Sequence, residues 1–470
     1  MENKLTELEG SVLQNKDKTD VVVKYASKFS LLVRFKNRDS FNDGTDFTKL
    51  SLQIDDDPVD LGACRLKIEP NIDGYAGRLV FTGDIYNMDS FFQNGSLEKL
   101  QAEFQNLPLI LSHKQRIDQK FKEFSSNITY DLRVYKTFFD NLDQEYRFEP
   151  DHIQQEIQNA IIQTEGERLS NYLDEQLDEL DRLVADYGKK EHERHGFYFR
   201  KLVWDFILCS PFMERCNVKP RGYAGDSVMM SMIYSNDFAG KSTFAKLMHK
   251  HPIEHPAAQA VRNRRKLIIE MLGDIQLKDA KTSSDKINVL SVACGPAFET
   301  QDVLKTKEDC QKYHFHLLDQ DRNALSEASE LIRKIEKDLD AKASVTYLNN
   351  SVRTMLALPR MEKKWGATAY RFIYSLGLFD YLTPPVAKAV IRNLFQLLEP
   401  GGEMVVGNFH VLNPSKQYME YWLDWVLYHR TEDDFLEMMQ GVPNAESRVI
   451  FEDTKSQMFL HVKKIGDKTG

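Results

Sequence analysis

A chain of 470 residues has room for two or three domains at about 100–200 residues each. Its 42% hydrophobic and 28% charged residues suit a soluble globular protein, and a net charge of −9 argues against a broad basic face for nucleic acid. No apolar run approaches the ~18 residues that span a bilayer, so stable membrane insertion is not expected.

Residues 1–20 are polar, lack the apolar stretch of a secretory leader, and are expected to form a flexible tail. From 21 to 96 the texture predicts a small β-barrel. Val21–Val23, Leu31–Phe35, Leu50–Ile54, Arg65–Ile68 and Arg78–Phe81 are short apolar or alternating runs, separated by turn formers such as Asn42-Asp43-Gly44 and Asn71-Ile72-Asp73-Gly74. From 97 to 250 the period becomes helical. Phe121, Phe124, Ile128, Leu132, Tyr135 and Phe139 share one helix face, as do Leu169, Leu173, Leu177 and Leu180. A further helix is expected over Glu193–Cys209, ended by Pro211.

From 251 to 470 strand-like runs alternate with helical ones. Ile287–Ala293, Tyr313–Leu318, Val345–Leu348, Phe372–Ser375 and Met404–Asn408 read as strands, with helices over Asn323–Leu339 and Pro385–Leu398 between them. This alternation predicts a parallel sheet covered by helices, an α/β Rossmann-like fold. Arg448–Asp453 and Gln457–Lys463 are joined by a short turn, which predicts an antiparallel hairpin at the sheet's end. The five cysteines form no CxxC pair, so neither a metal site nor a disulfide framework is expected, and a reducing cytoplasm fits. His249, His251 and His255 cluster, but no matching set of acidic or cysteine ligands at metal-site spacing accompanies them.

The chemistry gathers where strands end. Strand Ile287–Ala293 runs into Cys294-Gly295-Pro296-Ala297-Phe298-Glu299, a turn that brings backbone close to a ligand and opens a helix N-terminus. Asp319 ends the next strand, where a carboxylate suits two ribose hydroxyls. One glycine in place of three argues against a pyrophosphate-binding dehydrogenase and for a nucleoside binder. Asn349-Asn350-Ser351, Ser375-Leu376-Gly377 with Tyr381, and Leu398–Gly402 follow the later strands.

Val289–Glu299, Leu317–Asp321, Tyr374–Leu382 and Leu398–Gly402 resemble the successive motifs of class I S-adenosylmethionine-dependent methyltransferases. His195–Arg200, Ser210–Arg215, Lys219-Pro-Arg-Gly-Tyr-Ala-Gly-Asp226 and Asp424–Thr431 resemble a bacterial family tied to extracellular-factor 3-hydroxypalmitic acid methyl ester biosynthesis. The resemblance implies a seven-stranded methyltransferase fold with a helical lid. It places S-adenosylmethionine against Ala293, Cys294, Gly295, Glu299, Asp319, Gln320, Asn350, Ser351, Ser375, Gly377 and Tyr381. The methyl acceptor it implies is a small molecule, of which a hydroxy fatty acid carboxylate is one. The acidic residue usual at the end of the first strand is replaced by Ser291-Val-Ala-Cys294, and Glu299 stands in for it. Residues 21–96 resemble a degenerate PilZ domain, with lysines where arginines would clamp a dinucleotide (Lys24 and Lys28), or arginines displaced beyond a strand (Arg34 and Arg38). Dimerisation or partner docking is expected of it rather than cyclic di-GMP binding.

A carboxylate acceptor is already ionised and needs donors, for which Arg200, Arg221, Tyr223 and His195 are candidates. An amine or hydroxyl acceptor needs a base, for which His195, Asp226 or His410 is the candidate. The catalytic set expected from the sequence is therefore His195, Tyr223, Asp226 and Arg221. The alternative is a regulatory protein that binds the cofactor or a cyclic dinucleotide without turnover.

Overall fold

The structure is a computed structural model describing residues 8–27, 30–36, 41–54, 57–68, 76–83, 114–279, 286–351, 355–356 and 369–466. It divides into two compact units, Met1–Ile117 and Asp118–Gly470.

In the first unit eight antiparallel strands form one sheet: β1 (Leu8–Gln14), β2 (Asp17–Ser27), β3 (Ser30–Phe35), β4 (Asp46–Phe47), β5 (Lys49–Ile54), β6 (Asp57–Asp60), β7 (Cys64–Lys67) and β8 (Ala76–Phe81). Their order is β4-β7-β8-β3-β2-β1-β5-β6. β4 and β5 are nearly one run of chain. It pairs with β7 through Asp46↔Arg65 and with β1 through Lys49↔Leu13, so the sheet curls round on itself. Val21, Val23, Leu31, Val33, Leu50, Leu52, Leu66 and Leu79 alternate inward and fill it.

Residues 8–20, expected as a tail, are instead β1 and the start of β2. They are joined by a two-residue turn in which Asn15 (φ +49°) and Lys16 (φ +78°) are both left-handed, the conformation of a tight hairpin. The apolar signal is thin there, because among the described side chains of β1 Val12 alone is buried in the core. Lys28, Arg38, the Asn71–Gly74 turn and residues 84–113 of the expected β and helical segments lie outside the described residues.

The second unit begins with helices: α1 (Gln119–Glu145), α2 (Asp151–Val184), α3 (Lys189–Leu202), α4 (Trp204–Ile207), α5 (Pro211–Val218), α6 (Ser227–Ser235), α7 (Thr243–Glu254) and α8 (Pro256–Asp279). The predicted stripes are the buried ones, with Phe121, Phe124, Ile128, Leu132 and Phe139 inside α1. Pro211 does more than stop a helix. It opens α5 at the first turn, with Ser210 capping Met213 N at 3.2 Å.

The rest is β9 (Ile287–Val292), α9 (Glu299–Val303), α10 (Lys307–Lys312), β10 (Tyr313–Asp319), α11 (Arg322–Leu339), β11 (Ser344–Asn349), β12 (Tyr370–Ser375), α12 (Pro384–Gln396), β13 (Leu398–Phe409), α13 (Lys416–Tyr421), α14 (Glu432–Met439), β14 (Ala445–Phe451) and β15 (Gln457–Lys464). The seven strands are ordered β11-β10-β9-β12-β13-β15-β14. The first five run parallel, and β15 lies antiparallel to both β13 and β14. The expected Pro-Gly-Gly turn is a register shift within β13, where Tyr370 pairs with Leu398 and Phe372 with Glu403. Successive residues face opposite layers. Leu290, Val292, Ile373 and Met404 pack with α12 and α14, while Val289, Phe315, Phe372 and Val405 pack with α8 and α11. Among the described residues no helix is long and apolar enough to cross a membrane.

Leu290 is fully buried in β9, an interior strand flanked by β10 and β12. Leu290→Ala is expected to cost about 2–5 kcal/mol, from lost burial and the void left behind. A urea unfolding midpoint that barely moved would contradict this placement.

Candidate active site

The chain enters the sheet going one way through β9, β10 and β11, then returns to the other side of β9 with β12. At that reversal the strand ends leave a crevice where open α/β sheets bind ligands. A cavity of about 300 Å³ occupies it, lined by the residues after β9, β10, β11 and β12 and by the loop and helix over 223–234.

The loop after β9 has an unusual backbone. Ala293 (φ +52°), Gly295 (φ +55°) and Ala297 (φ +50°) are all left-handed, alternating with ordinary residues. The sequence shows one glycine here, yet the loop turns as a triply glycine-bearing one would. Each alanine sits where an L side chain crowds the following carbonyl, at roughly 1–2 kcal/mol. The loop is held by Cys294 N donating to Leu318 O (3.1 Å), Ala297 N to Cys294 O (3.0 Å) and Gly295 N to Asp319 Oδ2 (2.8 Å).

Asp319 is the hinge of this arrangement. Its other oxygen accepts from Asp321 N at 2.8 Å, so one carboxylate fixes both loops. It is buried, and burial pushes its carboxyl above the usual range against the pull of those two N–H donors. Each oxygen keeps a lone pair for a further donor. Glu299 is also buried and lines the cavity, accepting the Tyr374 hydroxyl at 2.6 Å. Burial raises its pKa too, and the Tyr374 hydrogen bond opposes the rise.

Ten of the residues expected from sequence line this cavity: Tyr223, Ala293, Cys294, Gly295, Glu299, Asp319, Gln320, Asn350, Gly377 and Tyr381. The Tyr381 hydroxyl donates to Ala224 O (2.7 Å) and accepts from Trp425 Nε1 (2.8 Å), which seats the Lys219–Asp226 loop. Five others stand elsewhere. Ser351 follows β11 without lining the cavity, and Ser375 is fully buried behind it. Asp226 is spent on Arg215 (2.7 Å) and on capping α6 at Met229 N (3.0 Å). Arg221 bonds Ser227, Asp321 (3.0 Å) and Glu327 (2.7 Å), pinning the loop to α11.

His195 is packed edge-on against Phe121. Its Nε2 accepts Asp118 N (3.1 Å) at the start of α1, and its Nδ1 bonds Glu191 O (2.8 Å). With both nitrogens committed, it holds a helix end rather than a proton. Arg200 pairs with Asp424 (2.7 Å) and His410 with Glu432 (3.0 Å), and neither lines the cavity. Of the clustered histidines, His249 accepts Phe212 N, His251 bonds Tyr418 and Asp174, and His255 bonds Ser415.

Sequence reasoning missed Met230, Tyr234, Arg264, Phe298 and Tyr374, all of which line the cavity. Arg264 left a trace. It lies three residues after Val261 and four before Ile268, on the buried stripe of α8, where a charge has no business unless something binds it.

The strand order and the carboxylate at the end of β10 describe an open α/β fold consistent with methyltransferases. Residues 153–359 match a family described as "putative methyltransferase", and that match supports a methyltransferase. Among solved structures, magnesium protoporphyrin IX methyltransferase from Synechocystis PCC 6803 with bound SAH is similar at 12% identity and a TM-score of 0.33, over 44% of this chain and 86% of that one. N-methyltransferase NodS from Bradyrhizobium japonicum WM9 is similar at 11% identity and a TM-score of 0.29, over 43% and 96%. A structure from Bordetella parapertussis described as a "possible exported protein" reaches 14% and 0.39, over 59% and 88%. At such scores these likenesses carry no weight for function. No curated protein matches the chain.

Ala293→Gly is expected to raise the stability of the unit by up to about 1 kcal/mol, relief of the left-handed strain being partly offset by a freer unfolded chain. Thermal unfolding of the two proteins checks it.

Asp380, fully enclosed and accepting Phe409 N at 2.7 Å, has its pKa pushed up to about 6 by burial. A raised carboxyl pKa penalises the fold above that pH, and the penalty fades as pH falls toward about 4. The wild-type protein should therefore gain stability relative to Asp380→Asn on going from pH 7.5 to 5. Urea titrations at the two pH values measure this; parallel curves would refute it.

Proposed function

We propose that this protein is an S-adenosylmethionine-dependent methyltransferase whose acceptor is a small molecule. The observation that carries the reading is the Asp319 carboxylate, bonded to Gly295 N in the left-handed loop while both residues line one switch-point cavity. The residues present fit the cofactor. Asp319 would offer acceptor oxygens to a ribose diol, Asn350 on the cavity wall would offer its amide to an adenine, and buried Glu299 would receive an ammonium. The absence of a three-glycine phosphate cradle suits a nucleoside without phosphates.

When bound, S-adenosylmethionine supplies an electrophilic methyl group on a sulfonium centre. The chain contributes position and exclusion of water. The loop over 223–234 roofs the cavity with Tyr223, Met230 and Tyr234, and holding two reactants in line lowers a barrier by up to roughly 7–11 kcal/mol. Among the described residues the cavity lining carries no histidine, and its carboxylates Asp319 and Glu299 are already hydrogen-bonded. That favours an acceptor which arrives ionised, and the carboxylate of a hydroxy fatty acid meets this demand. Tyr223 lines the cavity with a hydroxyl held only by a long contact to Asp321 Oδ2 (3.5 Å), so it is the candidate donor to that carboxylate.

Asp319→Ala is expected to weaken binding of S-adenosylhomocysteine about 10- to 100-fold, as loss of charge-assisted hydrogen bonds would. Calorimetry on the two proteins measures it, with circular dichroism to confirm that the variant is folded. Release of S-adenosylhomocysteine on incubation with S-adenosylmethionine and 3-hydroxypalmitate tests the acceptor. Binding of NADH without the sulfonium nucleoside would defeat the reading.

A further inference from the structure

Three arginines stand close together on α8, and two are satisfied. Arg262 reaches Glu254 (3.5 Å), Gln259 (2.7 Å) and Ile253 O (2.7 Å). Arg265 pairs with Asp302 at 2.6 Å and lies over the rings of Tyr234 and Phe298 at 5.2 and 5.8 Å. Arg264 differs. It is 7% exposed and makes no ion pair among the described residues. Its Nη1 donates to Leu376 O (3.0 Å), its Nη2 reaches the Met230 sulfur (3.4 Å), a weak acceptor, and its side chain is also hydrogen-bonded to the Tyr234 hydroxyl, which gives it no charged partner in contact. Its Nε is buried with no partner. A guanidinium carries five donors, and the nearest opposite charges, the buried carboxyls of Glu299 and Asp380, act on this one from beyond ion-pair contact. The residue also lines the cavity.

We propose that Arg264 receives the α-carboxylate of the sulfonium nucleoside's amino-acid end, with Glu299 taking the ammonium of the same group. The inference rests on the cofactor reading given above. Its geometry is independent of Asp319, which serves the ribose. Arg264 sits at the end of β12: a Cβ added to Gly377 would stand 3.5 Å from its Nη1. Glu299 opens α9 beyond the loop after β9. The cavity thus carries one buried cation and one buried anion that form no ion pair with each other, the pattern a zwitterion completes. The planar fork of the arginine matches a carboxylate through two parallel hydrogen bonds, which an ammonium cannot do.

The test compares two ligands of one nucleoside. S-adenosylhomocysteine carries the amino-acid group; 5′-methylthioadenosine keeps the adenosine and sulfur but lacks it. Their affinities are measured by calorimetry on the full chain, on Arg264→Met and on Arg264→Lys. Arg264→Met is expected to weaken S-adenosylhomocysteine about 10- to 100-fold and to leave methylthioadenosine within about twofold, with Arg264→Lys between. Circular dichroism without ligand confirms that each variant is folded. Equal binding of S-adenosylhomocysteine to parent and Arg264→Met would overturn the inference while leaving the cofactor reading intact. Equal weakening of both ligands would also overturn it, by showing a general disturbance of the cavity. If the parent bound neither ligand, the cofactor reading itself would fall.

Discussion

The second unit depends on what the Asp319 carboxylate does at the end of β10. One oxygen takes the N–H of Gly295, the other that of Asp321, and the loops that follow two neighbouring strands are thereby locked in register. Both loops would otherwise leave backbone donors facing a buried crevice, at about 1–3 kcal/mol each. The same contact holds the loop after β9 in a conformation that two alanines resist. The crevice is therefore shaped before any ligand arrives, and its shape comes from a charge that the surroundings keep partly dry.

The Lys219–Asp226 loop is attached to that same place. Arg221 bonds Asp321, two residues beyond Asp319, and continues to Glu327 on α11. At its other end Asp226 locks onto Arg215, while Lys219 shares Asp424 with Arg200. Gly222 (φ +85°) and Gly225 (φ +81°) give the chain its two sharp bends between these anchors. Tyr223 is thus delivered over the cavity by ion pairs lying outside it. The residues that look most chemical in sequence, Arg221 and Asp226, serve as fasteners.

Much of the sheet was legible because buried parallel strands are continuous apolar runs, and Ile287–Val292 and Tyr313–Asp319 fall within a residue or two of the expected bounds. Asp319 was legible because a carboxylate at a strand's end is rare without a task. β1 was not, since a strand with a thin apolar stripe reads as a polar tail even though it pairs with both β2 and β5. His195 misled for a different reason. Sequence reports that an imidazole can move a proton, but not that both its nitrogens face backbone groups of α1 and α3. Arg264 went unnoticed amid Arg262, Arg265 and Lys266, which make the segment read as a solvated face. Only the position of Val261 and Ile268 around it says otherwise.

The place of β15 has a consequence for how the molecule is made. It is the latest strand of the second unit in chain order, yet it lies between β13 and β14 and pairs with both. While the ribosome still holds residues 457–464, Met404, Val405 and Val406 have an open edge and β14 has no neighbour. The crevice, built on β9, β10 and β12, is assembled from earlier segments. A nascent chain can therefore shape its binding cleft while the sheet beside it is still gaping, and a ligand that gripped that cleft would act as a folding aid during synthesis.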